Sequence, residues 1–308
     1  MKVLLTGASS FTGYWFARAL AATGHAVVAP LRGAAAGYDG VRGERVRRLA
    51  ETAALAENCP FGSAPFRALL RDGAFDLLAH HAAATTDYRS AEFDIIAALS
   101  DNTRALPALL RDFRQSGGRG VLLTGSVFEP DEGAGSAPMA AFSPYGLSKG
   151  LSAQVFRYWC GAHGLPLGKF VIPNPFGPFE EPRFSDYVIR SWLAGATPRV
   201  RTPRYVRDNI PVDLLALLYA RFAEQVVAGP GFIKTNPSFY PESQGAFARR
   251  LACELGARLG VATPIDFAEQ TEFPEPAVRI NTDIPDTAAL GWSESAAWDA
   301  MAAYYRPA

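Results

Sequence analysis

Apolar positions follow two rhythms through the first half of the chain. Short, almost wholly apolar runs recur: "KVLLTG", "HAVVAPL", "FDLLAHHAAA", "GRGVLLTGS" and "LPLGKFVIPNPFG". Runs of this length read as strands buried on both faces. Between them lie stretches with apolar residues at helical spacing. "TGYWFARALAATG" stops at Gly24, a long pattern runs from about Ser90 to Gln115, and "SKGLSAQVFRYWCGAHG" stops at Gly164. Pro107 lies inside the long pattern and predicts a kink or a break there. "GAAAGYDGVRGERVRR" shows neither rhythm and reads as an irregular, mobile connection. Strand and helix in alternation predict an α/β fold, a Rossmann-type doubly wound parallel sheet.

After about Pro173 the texture changes. Proline becomes frequent, as in "IPNPFGPFEEPRF" and "TPRVRTPRYVRDNIP", and short helices such as "VDLLALLYARFAEQ" and "GAFARRLACELGARLG" are interleaved. The expected organisation is a dinucleotide-binding domain over 1–173 and a smaller C-terminal substrate lobe over 174–308. A strand and helix near 205–228 are expected to return to the first domain. Ligands of α/β proteins bind at the carboxyl edge of the sheet.

Composition narrows the class. Thirty basic and thirty acidic residues give a formal net charge of zero, which does not favour a nucleic-acid partner. Cys59, Cys160 and Cys253 are odd in number and scattered, so neither a disulfide frame nor a metal site is expected. The chain turns strand-like at once after Met1, and no apolar run approaches a membrane span. The expectation is a soluble, cytoplasmic protein without a membrane partner.

Two stretches carry candidate chemistry. "TGASSFTG" joins the first strand to the first helix and keeps a GxxGxxG spacing, with Gly7 and Gly13 in place and Ser10 at the centre. Gly7 permits a tight turn, Gly13 lets helix and strand approach, and the helix N-terminus offers N–H groups to a pyrophosphate. Gly7, Ser9, Ser10, Phe11 and Gly13 are therefore the candidate cofactor cradle. A NAD site commonly ends its second strand with a carboxylate. Here the strand ends at Arg32, which favours the 2′-phosphate of NADP, with NAD as the alternative and a solvated loop arginine as the bland reading.

"SPYGLSKG" puts Tyr145 and Lys149 four residues apart, on one helix face. A phenol with an ordinary pKa of about 10 exchanges protons poorly at neutral pH. A neighbouring ammonium favours the phenolate and lowers that value. Just upstream, "VLLTGSVFEP" ends a strand with Thr124 and Ser126, hydroxyls placed to meet the oxygen that Tyr145 would meet. Taken singly, Thr124 reads as a strand-end residue. With the cradle and the Tyr–Lys helix it completes a hydride-transfer set, with Ser126 a further candidate.

These motifs together resemble the extended short-chain dehydrogenase/reductase superfamily, in its nucleotide-sugar epimerase/dehydratase/reductase branch. The resemblance covers nearly the whole chain. "LLTGASSFTG" resembles the family's cofactor fingerprint, and "DLLAHHAAA" its strand beside adenine and ribose, which implies that His81, Ala82 and Ala83 line the cofactor. Asn102 resembles its structural asparagine. "TGSVFEP" is similar to its Ser/Thr-x-x-Val-Tyr segment, with Phe128 at the usual tyrosine. "IPNPFGP" is similar to its Asn-Val-Tyr-Gly-Pro loop, which implies that Pro173 meets the cofactor and Asn174 the substrate. "RYVRDNIPVDLLA" resembles the segment whose arginine grips a substrate diphosphate, a role that falls on Arg207, with Arg183 a further contact. "DTAALGW" resembles the C-terminal Leu-Gly-Trp.

The chain departs from the pattern at Ser10, at Gly125–Ser126, where dehydrating members carry an acid, and at Glu272, near where a second phosphate-binding arginine is usual. The resemblance implies an NAD(P)-dependent oxidoreductase acting on a hydroxyl or keto carbon of a nucleotide sugar, as ketoreductase or 4-epimerase, with net reduction favoured and dehydration disfavoured. Reduction of a small non-nucleotide ketone or aldehyde is the alternative, and a non-catalytic dinucleotide sensor is a third reading. The resemblance also implies a homodimer built on the helices around Ile95–Phe113 and after Tyr145, with Leu147, Leu151 and Trp159 as candidate contacts.

Overall fold

The computed structural model describes residues 1–306. In chain order the elements through the middle of the chain are β1 (Lys2–Thr6), α1 (Phe11–Ala22), β2 (Ala26–Pro30), α2 (Gly40–Leu49), β3 (Ala54–Ala56), α3 (Ala64–Asp72), β4 (Leu77–His80), α4 (Ile95–Asn102), α5 (Leu106–Gln115), β5 (Gly120–Ser126), β6 (Ala134–Gly135), α6 (Pro144–Ala162) and β7 (Leu167–Ile172). There follow β8 (Asn174–Phe176), α7 (Phe184–Leu193), β9 (Arg199–Val200), β10 (Val206–Pro211), α8 (Val212–Ala228), β11 (Phe232–Thr235), β12 (Tyr240–Ser243), α9 (Gln244–Leu259), β13 (Asp266–Phe267), β14 (Val278–Ile280) and α10 (Glu294–Tyr305).

The chain forms two compact units. The first contains Met1–Glu132, Ala140–Ile172 and Ala216–Asn236. Its seven-stranded sheet has the order β11-β7-β5-β4-β1-β2-β3, and every pair is parallel. This is the doubly wound Rossmann-type arrangement. Strand order reverses between β1 and β4, so the ligand crevice of such a fold lies outside the carboxyl ends of those two strands. The sheet is apolar on both faces. On one face, Leu123, Leu78 and Val121 pack under Phe66, Leu110, Phe113 and Phe156, from α3, α5 and α6. On the other, Phe16 of α1 stacks on Tyr219 of α8 at 3.9 Å, and Phe170 of β7 meets both rings. Truncating an aromatic in such a core costs about 3–5 kcal/mol.

The break expected near Pro107 is present, and one stretch differs from the sequence reading. The long helical pattern is two helices, α4 and α5. Ala105 takes a left-handed conformation between them, and Pro107 sits in the first turn of α5, where its missing N–H is not needed. The stretch read as an irregular connection forms α2. Val46 and Leu49, three apart on one helix face, are buried, and Arg45 is fully buried beside them. That apolar stripe is short, and the glycines and arginines around it hid it.

The second unit contains Gly133–Met139, Pro173–Leu215 and Pro237–Ala308. Its sheet runs β12-β10-β14-β6, and β8 also pairs with β10. The strand at 206–211 thus belongs to this sheet, whereas the later part of α8 and β11 belong to the first unit. Val188, Trp192, Phe247, Leu251, Trp298 and Met301, from α7, α9 and α10, form a separate apolar core. The Leu-Gly-Trp segment is tied to the start of α8 by Trp292, whose indole N–H donates to Asp213 Oδ2 at 2.9 Å.

Candidate active site

The turn after β1 is built around close backbone approach. A Cβ on Gly13 would lie 2.2 Å from the Gly7 carbonyl oxygen, and one on Gly7 would lie 2.7 Å from the Ala82 nitrogen. Gly7 also has φ +75°, a conformation that favours glycine. Both glycines are therefore fixed by geometry. The turn is pressed onto the segment leaving β4, which brings Gly7 and Gly13 together with His81 and Ala82. Ser10 caps α1, its Oγ accepting from Gly13 N at 3.2 Å. The N–H groups of Phe11 and Thr12 open the helix, where no intrahelical acceptor exists.

Thr6 ties β1 to β4. Its Oγ1 accepts from the N–H groups of His81 and Ala82, both at 3.1 Å, and lies 3.0 Å from His80 Nδ1. With both acceptor positions used, its proton goes to Nδ1, which assigns the Nε2–H tautomer to His80. Burial, then the charge of Lys149, holds His80 down to about 3, so it is neutral. Asn102 links the next loop to α6: Oδ1 accepts from Ala84 N at 2.9 Å and Nδ2 donates to Ser152 Oγ at 3.2 Å.

Ser143 and Pro144 open α6, the Ser143 Oγ accepting from Gly146 N at 3.3 Å. Tyr145 lies in the first turn, with the rings of Tyr88 and Phe93 edge-on to it at 5.4 and 6.0 Å. One turn later, buried Lys149 donates to the Thr124 carbonyl oxygen at 2.6 Å. Lys149 thus meets Thr124 through its backbone, not its hydroxyl. Desolvation lowers the Lys149 pKa, and Glu129 opposes that shift. The Thr124 hydroxyl is buried beside that of Tyr219, and neither has a well-formed partner. Ser126 Oγ accepts from Phe128 N at 3.2 Å.

Three buried charged residues beside the end of β5 escaped the sequence reading. Glu129 is fully buried; its Oε1 accepts from Ser126 N at 2.7 Å and its Oε2 pairs with Lys169 Nζ at 2.6 Å. Lys169 also pairs with Glu132 at 2.7 Å, and Glu132 accepts from Lys234 and Asn236, each at 3.0 Å. Burial works to lower the Lys169 pKa, but its two carboxylates more than offset it and hold the ammonium above its ordinary value. The network fixes the end of β5, which carries Thr124 and Ser126. Its members come from three places in the chain, and no local motif announces them. Arg42 and Arg45 of α2 were also missed. Arg42 donates to Ser9 Oγ at 2.8 Å and Arg45 to the Ser9 carbonyl at 3.1 Å. Arg32, the arginine singled out by sequence, is exposed just past β2.

The remaining candidates lie in or at the edge of the second unit. Pro173 follows β7 directly, and Asn174 Nδ2 donates to the Asp208 carbonyl at 3.3 Å. Arg183 is exposed at the start of α7. Arg207 is mostly covered. It donates to Glu275 Oε2 at 3.0 Å and to the Val206 and Pro276 carbonyls, both at 2.9 Å. Arg279, its register partner on β14, is fully buried, and Glu272 is exposed. Among the described residues no cluster of His, Cys, Asp or Glu could hold a metal ion, and no helix is long and apolar enough to cross a membrane.

A dinucleotide fits the first unit on two observations. The turn's glycines cannot take a side chain, and the first N–H groups of α1 are free of helical acceptors. The family model described as "NAD dependent epimerase/dehydratase family" matches residues 3–232. No curated protein sequence matches the chain significantly. Among solved structures, a UDP-glucuronic acid 4-epimerase mutant from Bacillus cereus, with NAD and a fluorinated UDP-sugar, is 17% identical, with TM-score 0.74 over 99% of this chain and 98% of that one. A UDP-glucose 4-epimerase from Bifidobacterium longum, with NAD+ and UDP, is 19% identical, with TM-score 0.73 over 99% and 96%. A UDP-glucose-4-epimerase from Stenotrophomonas maltophila, with NAD, is 20% identical, with TM-score 0.71 over 98% and 96%. Likenesses at these identities establish the fold.

Proposed function

Because the chain belongs to the NAD dependent epimerase/dehydratase family, we propose that it transiently oxidises a hydroxyl-bearing carbon of a nucleotide sugar and returns the hydride to the opposite face, as a 4-epimerase. The carrying observation is α6: Tyr145 in its first turn, and Lys149 one turn on, buried and bonded to the strand that bears Thr124. The named activities of the neighbouring folds support epimerisation over the net reduction that Arg32 favours on sequence. The nicotinamide, when bound, supplies the hydride acceptor and donor. Phe11, Thr12 and the glycines of the turn would hold its pyrophosphate, and His81, Ala82 and Ala83 its adjoining edge. Arg32 and Arg42 support a 2′-phosphate on the ribose.

In this reading Tyr145 Oη takes the proton of the reacting hydroxyl during oxidation and gives it back during reduction. The Lys149 ammonium favours the phenolate. The Thr124 and Ser126 hydroxyls orient the substrate oxygen. Gly125 and Ser126 offer no acid for loss of water. Arg207 would hold the substrate phosphates. Exposed apolar residues on α4 and α6 support a homodimer.

One observation favours a second reading, a small carbonyl substrate without a diphosphate: the Arg207 fork is already occupied by Glu275 and backbone carbonyls. Assays with UDP-sugars separate the two. Without added cofactor, purified protein is expected to interconvert a UDP-sugar and its 4-epimer and to release a nicotinamide dinucleotide on denaturation. A requirement for stoichiometric NADPH would reverse the choice to reductase. Tyr145→Phe is expected to cut turnover at least about 100-fold while leaving dinucleotide binding unchanged. Undiminished turnover in that variant rejects the mechanism.

A further inference from the structure

Two departures in the first unit meet each other. The phosphate turn has Ser10 where its glycine pattern has a centre glycine, and the segment after β4 presents a histidine to it. His81 Nε2 lies 3.0 Å from Ser10 Oγ and 2.9 Å from Thr12 Oγ1. One ring nitrogen therefore serves two hydroxyls about seventy residues earlier in the chain. The ring is also held sterically. Phe16 meets it edge-on at 5.1 Å, and a Cβ on Gly13 would come within 2.9 Å of its Cδ2.

We propose that His81 is a positioning residue for the dinucleotide: its ring pins the side-chain face of the phosphate turn through Ser10 and Thr12, and so presets the N–H groups of Phe11 and Thr12. This rests on the dinucleotide reading given above. His81 acts through the hydroxyls, not as a cation toward phosphate, because burial and then Lys149 hold it down to about 3 and keep it neutral. Ser10 Oγ accepts from Gly13 N, which leaves its own proton for the imidazole. The Ser10 side chain is thereby matched rather than stranded. A central glycine would need no such partner, but it would leave the turn freer to move before the cofactor arrives.

The test uses the full chain, stripped of any co-purified nucleotide, and the fluorescence of NADH and NADPH on binding. His81→Phe keeps a ring of similar size and leaves two hydroxyls unmatched. It is expected to weaken the better-bound nucleotide about tenfold. Adding Ser10→Gly should restore binding to within about threefold of wild type, because one unmatched hydroxyl is gone and glycine caps a helix nearly as well as serine. A general packing defect would show no such rescue. Thr12→Val, which keeps the ring, should weaken binding about threefold and serves if His81→Phe fails to fold. Wild-type affinity in His81→Phe, or in Thr12→Val where that variant has to serve, overturns the inference. So does a double variant that multiplies the single losses. Absence of saturable binding by the wild type overturns the dinucleotide reading and the inference with it; equal binding by the variants overturns the inference alone.

Discussion

Arg207 is a cation whose donors are already spoken for, and that has a measurable consequence. Burial lowers its pKa, Glu275 opposes the shift, and the guanidinium remains charged. The Glu275 side chain is 54% exposed, so this ion pair is worth at most about 1 kcal/mol. In the proposed reading, an incoming diphosphate would displace a weak competitor, at a cost of roughly a factor of five at most. Glu275→Gln is expected to bind UDP about two- to fivefold more tightly by calorimetry. Unchanged or weaker binding would show that Glu275 does not compete for this arginine. At the same scale, what the sequence concealed was partnership. Ser10 was visible as a departure and His81 as a cofactor-lining candidate, but their contact spans β1 and β4 and follows only from strand order. Tyr145 and Lys149 were legible because four residues on one helix determine their own geometry.

Elements near the candidate residues carry their own signatures. Before α7, Glu180 is buried and accepts from Ser185 Oγ at 2.6 Å. Burial raises its pKa to about 8; Ser185 and Arg183 pull the other way, and Asp186 adds to the rise. Its unfolded value is near 4.5. Between those values the unfolded chain releases a proton that the folded chain keeps, so the group costs stability as pH rises from about 4.5 to about 8 and nothing more above it. Glu180→Gln removes that dependence. Relative to wild type, its melting temperature should rise between pH 5 and pH 8, by an amount equivalent to about 1–3 kcal/mol. A constant difference across that range would mean that Glu180 is ionised in the folded protein. Element boundaries were legible where chain chemistry is strong, as at Gly24, Pro107 and Gly164. They were illegible at α2, because Val46 and Leu49 give too short an apolar stripe to stand out among its glycines and arginines.

For the molecule as a whole, the parallel sheet could be read from its apolar runs, because strands covered on both faces leave an unmistakable signal. The ion network of Glu129, Lys169, Glu132 and Lys234 could not, since it forms only after β5, β7 and β11 are brought side by side. Oligomeric state is where surface and fold meet. α4 and α6 pack against each other and leave Ile96 72%, Tyr158 67%, Leu147 38% and Leu151 37% exposed, whereas Trp159 packs on the core. A homodimer using these two helices would bury that surface, each apolar side chain contributing about 1.5–3 kcal/mol if fully covered. Ile96→Glu is the decisive change, because the residue is so exposed that a monomer should tolerate the charge. The wild type is expected to sediment as a dimer, and the variant as a folded monomer at the same micromolar concentration. A wild type that sediments as a monomer would reject the dimer. A variant that remains dimeric would place the contact elsewhere on the surface.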